Sequence, residues 1–222
     1  MEVEKIIPSK LETGFQRFLY RTVGERLPKN ATPNQITLVG ALCGLFGIIC
    51  AFCAKFSPWF LFGTIFGIVG HLVFDDLDGY VARTKNMSSK TGAFLDLLTD
   101  VLHITYLLIA LAFANIVSFE TAIFLVPLYA LLMFVSMNYI LYLKEFRFPR
   151  LGPIESHITL VILCAGGMVF YKTPIAALGG FGVKFGDVML LIGGIPMYFE
   201  TIRLTLQLFK RLKETEKNDG DS

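Results

Sequence analysis

The chain has 222 residues, of which 54% are apolar and 17% charged, and its formal net charge is +2. A soluble domain of this size carries about 25% charged residues, and the mean hydropathy here is +0.61, so the composition indicates an integral membrane protein. The small net charge gives no footing for a nucleic-acid partner.

In chain order, the first ~30 residues lack the apolar core of a secretory leader. Ile6, Ile7, Leu11, Phe15, Phe18, Leu19 and Val23 alternate with basic residues at helical spacing. This predicts an amphipathic helix on the cytoplasmic leaflet rather than a plainly solvated one. Hydropathy then predicts six transmembrane helices, over 35–54, 58–81, 92–115, 119–143, 156–173 and 186–210, each about long enough for ~30 Å of hydrocarbon. The expected architecture is all-α: an amphipathic interfacial arm 1–30, a six-helix membrane domain 31–212 and a polar tail 213–222.

Thr32-Pro33-Asn34-Gln35-Ile36-Thr37 enters the first span, with Thr32 suited to N-cap and Pro33 to the first helical position. Gly40-x-x-x-Gly44 and Gly63-x-x-x-Gly67 are small-residue patterns that close helix packing within the bundle. Cys43, Cys50, Cys53 and Cys164 lie in apolar surroundings; the CxxC pair has no partner at ligand spacing and reads as buried thiols. Lys and Arg concentrate in the N-terminal arm, after the second and fourth spans and in the tail, against Lys55, Lys172 and Lys184 on the other side. The positive-inside rule therefore puts both termini, and the loop after the second span, in the cytoplasm.

That loop joins the most informative segment, Asp75-x-x-Asp78-Gly79-x-x-Ala82-Arg83, then eight residues, then Gly92-x-x-x-Asp96-x-x-x-Asp100. Carboxylates in an apolar span are costly, about 2.5–3.5 kcal/mol each at a bilayer centre. Asp75 and Asp78 share one helical face, as do Asp96 and Asp100. Two antiparallel helices turn these faces together, and a hard divalent cation relieves their repulsion. Gly79, Ala82 and Gly92 let a ligand approach the backbone, and Arg83 is suited to clamping a diphosphate. Asp76 points about 100° away from Asp75 and reads as an outer, solvated acid. The segment thus has the parts to hold a Mg²⁺-diphosphate, with one carboxylate left to act as a base.

The pattern D-x2-D-G-x2-A-R-x8-G-x3-D-x3-D resembles the signature of the CDP-alcohol phosphotransferase family at every fixed position. The resemblance implies two Mg²⁺ or Mn²⁺ ions on Asp75, Asp78 and Asp96, with Asp100 reaching a metal and acting as general base. It implies nucleotide contacts from Gly79, Ala82, Arg83 and Gly92, and also from Pro33, Asn34 and Thr37, because the family often has a P-N-x-x-T element there. It further implies a homodimer, a CDP-alcohol donor and a phospholipid product, with CMP released.

Arg150-Leu151-Gly152-Pro153-Ile154-Glu155-Ser156-His157 opens the fifth span and is similar to an element of choline and ethanolamine phosphotransferases. Glu155 would orient an acceptor there, although Gly-Pro-x-Glu is equally an ordinary helix start. His157 reads more readily as a packed polar residue. Arg203, within the sixth span, needs a polar cavity or a lipid phosphate, and with Lys144, Arg147 and Arg150 forms a candidate acceptor or headgroup site. The Glu155 element tilts the expected substrates toward CDP-choline or CDP-ethanolamine with diacylglycerol. Phe94–Asp100 is similar to inositol-type members, which keeps CDP-diacylglycerol with inositol phosphate, glycerol phosphate or serine open. A divalent-cation transporter would explain the aspartates but not Gly79, Ala82, Arg83 and Gly92. A non-catalytic scaffold would have no need of Asp100.

Overall fold

The computed structural model describes residues 4–6, 9–147, 149–150, 153–178 and 181–220; the side chains of 4–6, 146–147, 177–178, 181 and 218–220 fall outside that description. Strand β1 (Glu4–Ile6) precedes helix α1 (Lys10–Thr22), whose N-cap is Ser9, its hydroxyl accepting from Glu12 N at 3.2 Å. The helix expected of the arm therefore begins after Ile6; Ile7 lies outside the described residues. A short 3-10 turn, Gly24–Arg26, leads to α2 (Pro33–Cys53). Its start is a capping box: Thr32 and Gln35 satisfy each other's backbone N–H, and Pro33 occupies the first turn.

Next come α3 (Phe60–Thr84), α4 (Lys90–Phe113) and α5 (Phe119–Leu143). Ser89 and Ser118 cap α4 and α5, and Lys144 ends α5 in the left-handed region at φ 57°. Strand β2 (Glu145–Arg147) then pairs in parallel with β1. α6 (Pro153–Val169) follows, then an antiparallel pair, β3 (Pro174–Leu178) with β4 (Phe181–Lys184), and finally α7 (Phe185–Gly220).

Among the described residues, five helices, α2 to α5 and α7, are long and apolar enough to cross a membrane. α6 is apolar but has 17 residues. The chain is a multi-pass membrane protein built on helices, with two small two-stranded sheets among the described residues. α7 runs past 212, so residues 213–220 of the expected tail continue that helix, their charges ending the apolar stretch but not the hydrogen-bond ladder; 221–222 lie outside the described residues.

α2 and α3 pack backbone to backbone: a Cβ on Gly67 would lie 2.3 Å from Gly47 Cα. Leu61, Ile68, Leu107, Leu111 and Leu163 are fully buried between α3, α4 and α6. A second cluster, Leu19, Ile36, Leu77 and Val81, seats α1 against α2 and α3 at the acidic end. Leu42, Phe46, Phe66, Phe134 and Phe199 are exposed, as lipid-facing residues are. The four cysteines are free thiols.

Candidate active site

α3 and α4 bring the acidic faces together. Asp75, Asp78 and Asp96 each offer a carboxylate oxygen within 4.8 Å of the others, and Asp75 is within hydrogen-bonding reach of both Asp96 and Asp100. Asp78 is buried and accepts from Thr37 Oγ1 of α2 at 2.5 Å. Asp100 accepts at Oδ2 from the Tyr129 hydroxyl of α5 at 3.2 Å, and its Oδ1 lies 3.8 Å from His71 Nε2. Carboxylate oxygens this close repel one another, and an all-oxygen donor set fits a hard divalent cation. Asp76 does not stand loose: Gln16 Nε2 of α1 donates to its Oδ1 at 2.8 Å.

A cleft of about 520 Å³ opens beside Asp78 and Asp96. Its lining includes Pro33, Asn34 and Thr37 from α2, Gly79, Ala82 and Arg83 from α3, and Gly92 from α4, so the expected nucleotide residues share one space. The glycines matter for clearance. A Cβ on Gly79 would lie 3.1 Å from the Arg83 guanidinium, and one on Gly92 would lie 3.0 Å from Ser89 Oγ and 3.3 Å from Asn34 Oδ1. Tyr20 of α1 stacks on Tyr80 with ring centroids 4.7 Å apart, and its hydroxyl accepts from Arg83 Nη2 at 3.0 Å. Burial first, then the charge of Asp76, pushes the Tyr20 phenol up to about 12, so at neutral pH it stays an uncharged partner for Arg83.

A second cavity of about 700 Å³ lies against the same aspartates; Asp78, Gly79, Arg83 and Asp96 line both it and the cleft. Its other walls include Asp75, Asp100 and Tyr129, with Glu12 and Gln16 of α1. α1 is tied to α6 there, since Glu12 Oε2 accepts from Ile154 N at 3.3 Å and Ser9 Oγ donates to Glu155. Tyr129 and Pro153 also border a third, apolar cavity of about 630 Å³ between α4, α5, α6 and α7.

The remaining predicted residues are not drawn into the carboxylate centre. Glu155 bonds Ser9. His157 lines the apolar cavity and holds Pro153 O through Nδ1 at 2.7 Å. Arg203 is paired with Glu200 at 2.6 Å, and Arg150 N donates to the same carboxylate at 3.4 Å. Lys144 is exposed at the end of α5. The side chain of Arg147, and Leu151 and Gly152, lie outside the described residues.

Sequence reasoning did not reach Tyr129, Tyr20, Glu12 or Gln16, which act across long separations and carry no local pattern. It also did not single out His71 and His103, although they stand four residues before Asp75 and three after Asp100. Among the described residues, two clusters can each hold a metal ion: the three aspartates, and His71, His103 and His157.

Metal-holding clusters and a small-residue cleft with an arginine in its wall, set in membrane-length helices, define a multi-pass membrane protein built to grip a charged ligand. The model of the CDP-alcohol phosphatidyltransferase family matches residues 30–195, so the chain belongs to that family and is a transferase. No curated protein matches the chain.

Proposed function

We propose that the chain moves the phospho-alcohol part of a CDP-alcohol to an acceptor hydroxyl and releases CMP, with two Mg²⁺ or Mn²⁺ ions on Asp75, Asp78, Asp96 and Asp100. The observation that carries this reading is the wall shared by the two polar cavities, Asp78, Gly79, Arg83 and Asp96. A diphosphate lying along that wall joins a nucleotide in the cleft to the compartment holding Asp100. When bound, the cations neutralise the diphosphate and the developing charge on CMP.

Pro33, Asn34 and Thr37 receive the nucleoside end, and Gly79, Ala82 and Gly92 keep the floor clear. Arg83, oriented by Tyr20, faces the leaving phosphate. Asp100 takes the proton of the acceptor hydroxyl as its oxygen bonds to the phosphorus nearer the alcohol and the bond from that phosphorus to the CMP oxygen breaks. Tyr129 donates to Oδ2, while Oδ1, 3.8 Å from His71 Nε2 and so not hydrogen-bonded to it, takes that proton.

The apolar cavity adjoins this compartment across Tyr129 and Pro153. That adjacency supports a lipid hydroxyl as acceptor: diacylglycerol, with CDP-choline or CDP-ethanolamine as donor. The pairing of Arg203 with Glu200 weighs against a phosphorylated small acceptor at the basic residues. The same cavity would serve acyl chains of the donor in the second reading, CDP-diacylglycerol with inositol phosphate, glycerol phosphate or serine.

Leu11 and Phe18, seven residues apart and exposed on one side of α1, support an interfacial helix on the cytoplasmic leaflet. α6, about 26 Å long at 1.5 Å per residue, serves as the sixth span. Both termini and the active site face the cytoplasm, residues 31–212 form the catalytic unit with 213–222 beyond it, and the protein works as a homodimer.

CMP release is the test, with CDP-diacylglycerol, CDP-choline and CDP-ethanolamine as donors, a panel of acceptors, and Mg²⁺ or Mn²⁺. Turnover is expected with one donor class, and no CMP from any donor would sink the reading. Asp100→Asn is expected to lower turnover by about 10²–10⁴-fold, the range for a lost general base, while nucleotide binding persists. Full activity in that variant would remove the base assignment.

A further inference from the structure

All three histidines of the chain, His71 on α3, His103 on α4 and His157 on α6, meet at one point, each offering a ring nitrogen within 4.8 Å of the others. His71 and His103 extend the two carboxylate faces by one helical turn, roughly 5–6 Å along the helix axes. His71 and His103 are buried, with 4% and 3% of their surface exposed. Among the described residues, His71 Nδ1, both ring nitrogens of His103 and His157 Nε2 have no hydrogen-bond partner. Buried polar atoms are almost always paired, so several unpaired nitrogens converging from three helices point to a missing ligand.

We infer that His71, His103 and His157 form a separate site for a borderline first-row transition metal of the Zn²⁺ class, distinct from the hard-cation centre of the aspartates. Neutral imidazoles suit such ions and not Mg²⁺, which takes oxygen. Three histidine nitrogens at about 2.0–2.1 Å from the metal are an established zinc donor set. One of the three, His157, has the backbone outer contact usual for a metal-bound histidine. His157 Nδ1 is held by Pro153 O at 2.7 Å, which leaves Nε2 to ligate; His71 Nε2 faces the Asp100 carboxylate at 3.8 Å, which leaves Nδ1.

The surroundings are consistent. The His71 and His103 rings stack with centroids 4.1 Å apart, so the two imidazoles already lie within reach of one ion. α2 reaches the pair at Gly44, where a Cβ would lie 2.7 Å from both His103 Nδ1 and His71 Cδ2, so the space for the rings depends on a glycine. On the far side His157 borders the apolar cavity with Ile104, Leu108 and Leu160.

Co²⁺ is the probe, because four-coordinate Co²⁺ absorbs strongly in the visible and Mg²⁺ does not. Detergent-purified full-length chain, stripped with a chelator, is titrated with Co²⁺ in excess Mg²⁺. One Co²⁺ per chain with visible absorption is expected, and the signal should vanish on adding Zn²⁺. Asp78→Asn should keep it, and His157→Gln should weaken Co²⁺ binding by at least about 100-fold, beyond the range for outer-shell changes. No visible absorption in the unaltered protein under Mg²⁺ overturns the site without any variant having to fold. Absorption that survives His157→Gln and disappears in Asp78→Asn assigns the ion to the aspartates and also overturns it.

Discussion

Thr37→Val tests whether α2 helps hold the aspartate centre. The Thr37 hydroxyl has one proton and two acceptors, Pro33 O at 3.1 Å and Asp78 Oδ2 at 2.5 Å. The shorter contact to the carboxylate takes the proton, because a charged acceptor makes the stronger bond. Thr37 and Asp78 are 6% and 5% exposed, so the bond lies away from bulk solvent. Valine keeps the β-branched shape and removes only the hydroxyl. A metal ligand that loses such support typically binds about 10–100-fold more weakly, roughly 1.4–2.7 kcal/mol. That agrees with about 1.5–3 kcal/mol for a hydrogen bond to a charged group. The assay is CMP release against Mg²⁺ concentration. The midpoint should rise about 10–100-fold in Thr37→Val and stay near that of the unaltered protein in Thr37→Ser. An unmoved midpoint in Thr37→Val, or equal shifts in both variants, would refute the argument.

Two further outcomes follow from the packing and from Tyr20. Gly67→Ala puts a Cβ 2.3 Å from Gly47 Cα and 2.7 Å from Cys43 O; α2 and α3 must separate, so thermal unfolding in detergent should show a loss of about 1–3 kcal/mol. Gly14→Ala, with nothing within 4 Å of the added Cβ, should show no loss, and equal melting temperatures for the two variants would contradict the close helix approach. The folded Tyr20 phenol keeps its proton to about 12, chiefly through burial, whereas an unfolded tyrosine loses it near ~10. Its contribution is therefore complete below the unfolded value and disappears as pH rises through the folded one. Tyr20→Phe should flatten the alkaline decline in melting temperature across that window, and identical alkaline slopes would show that the phenol does not contribute.

The aspartate centre was legible because its spacing is local: Asp75 with Asp78 and Asp96 with Asp100 recur at one helical turn, and two helices suffice to join them. The cleft was legible for the same reason, since Gly79, Ala82, Arg83 and Gly92 lie within a turn or two of the aspartates, and Thr32 announces the start of α2. The faces of the long helices were harder to read. Leu42, Phe46 and Ile49 of α2 are exposed while Ile36 and Cys50 are buried, and all are apolar, because a lipid-facing side needs the same chemistry as a core. Tyr129 meets Asp100 across 29 residues and Gln16 meets Asp76 across 60, and such contacts leave no periodic trace. Arg203 was expected to need an outside partner; its partner is Glu200, one turn away on the same helix, so the signal was local and was passed over. The extension of α7 beyond 212 was missed because a run of charges marks the end of a hydrophobic stretch, not of a helix.

The cleft and the apolar cavity are built from different parts of the chain. The cleft is lined by α2, α3, the turn after α3 and the start of α4, whereas the apolar cavity is lined by the far half of α4 with α5, α6 and α7. Substitutions in the apolar cavity away from Tyr129 and Pro153, which also line the carboxylate compartment, therefore leave the residues around the carboxylates untouched. Under the proposed function, a lineage built on this plan can exchange one acceptor for another by drift in its C-terminal half, under continued selection on the stretch that carries the aspartates. Divergence in what is made need not be divergence in how it is made.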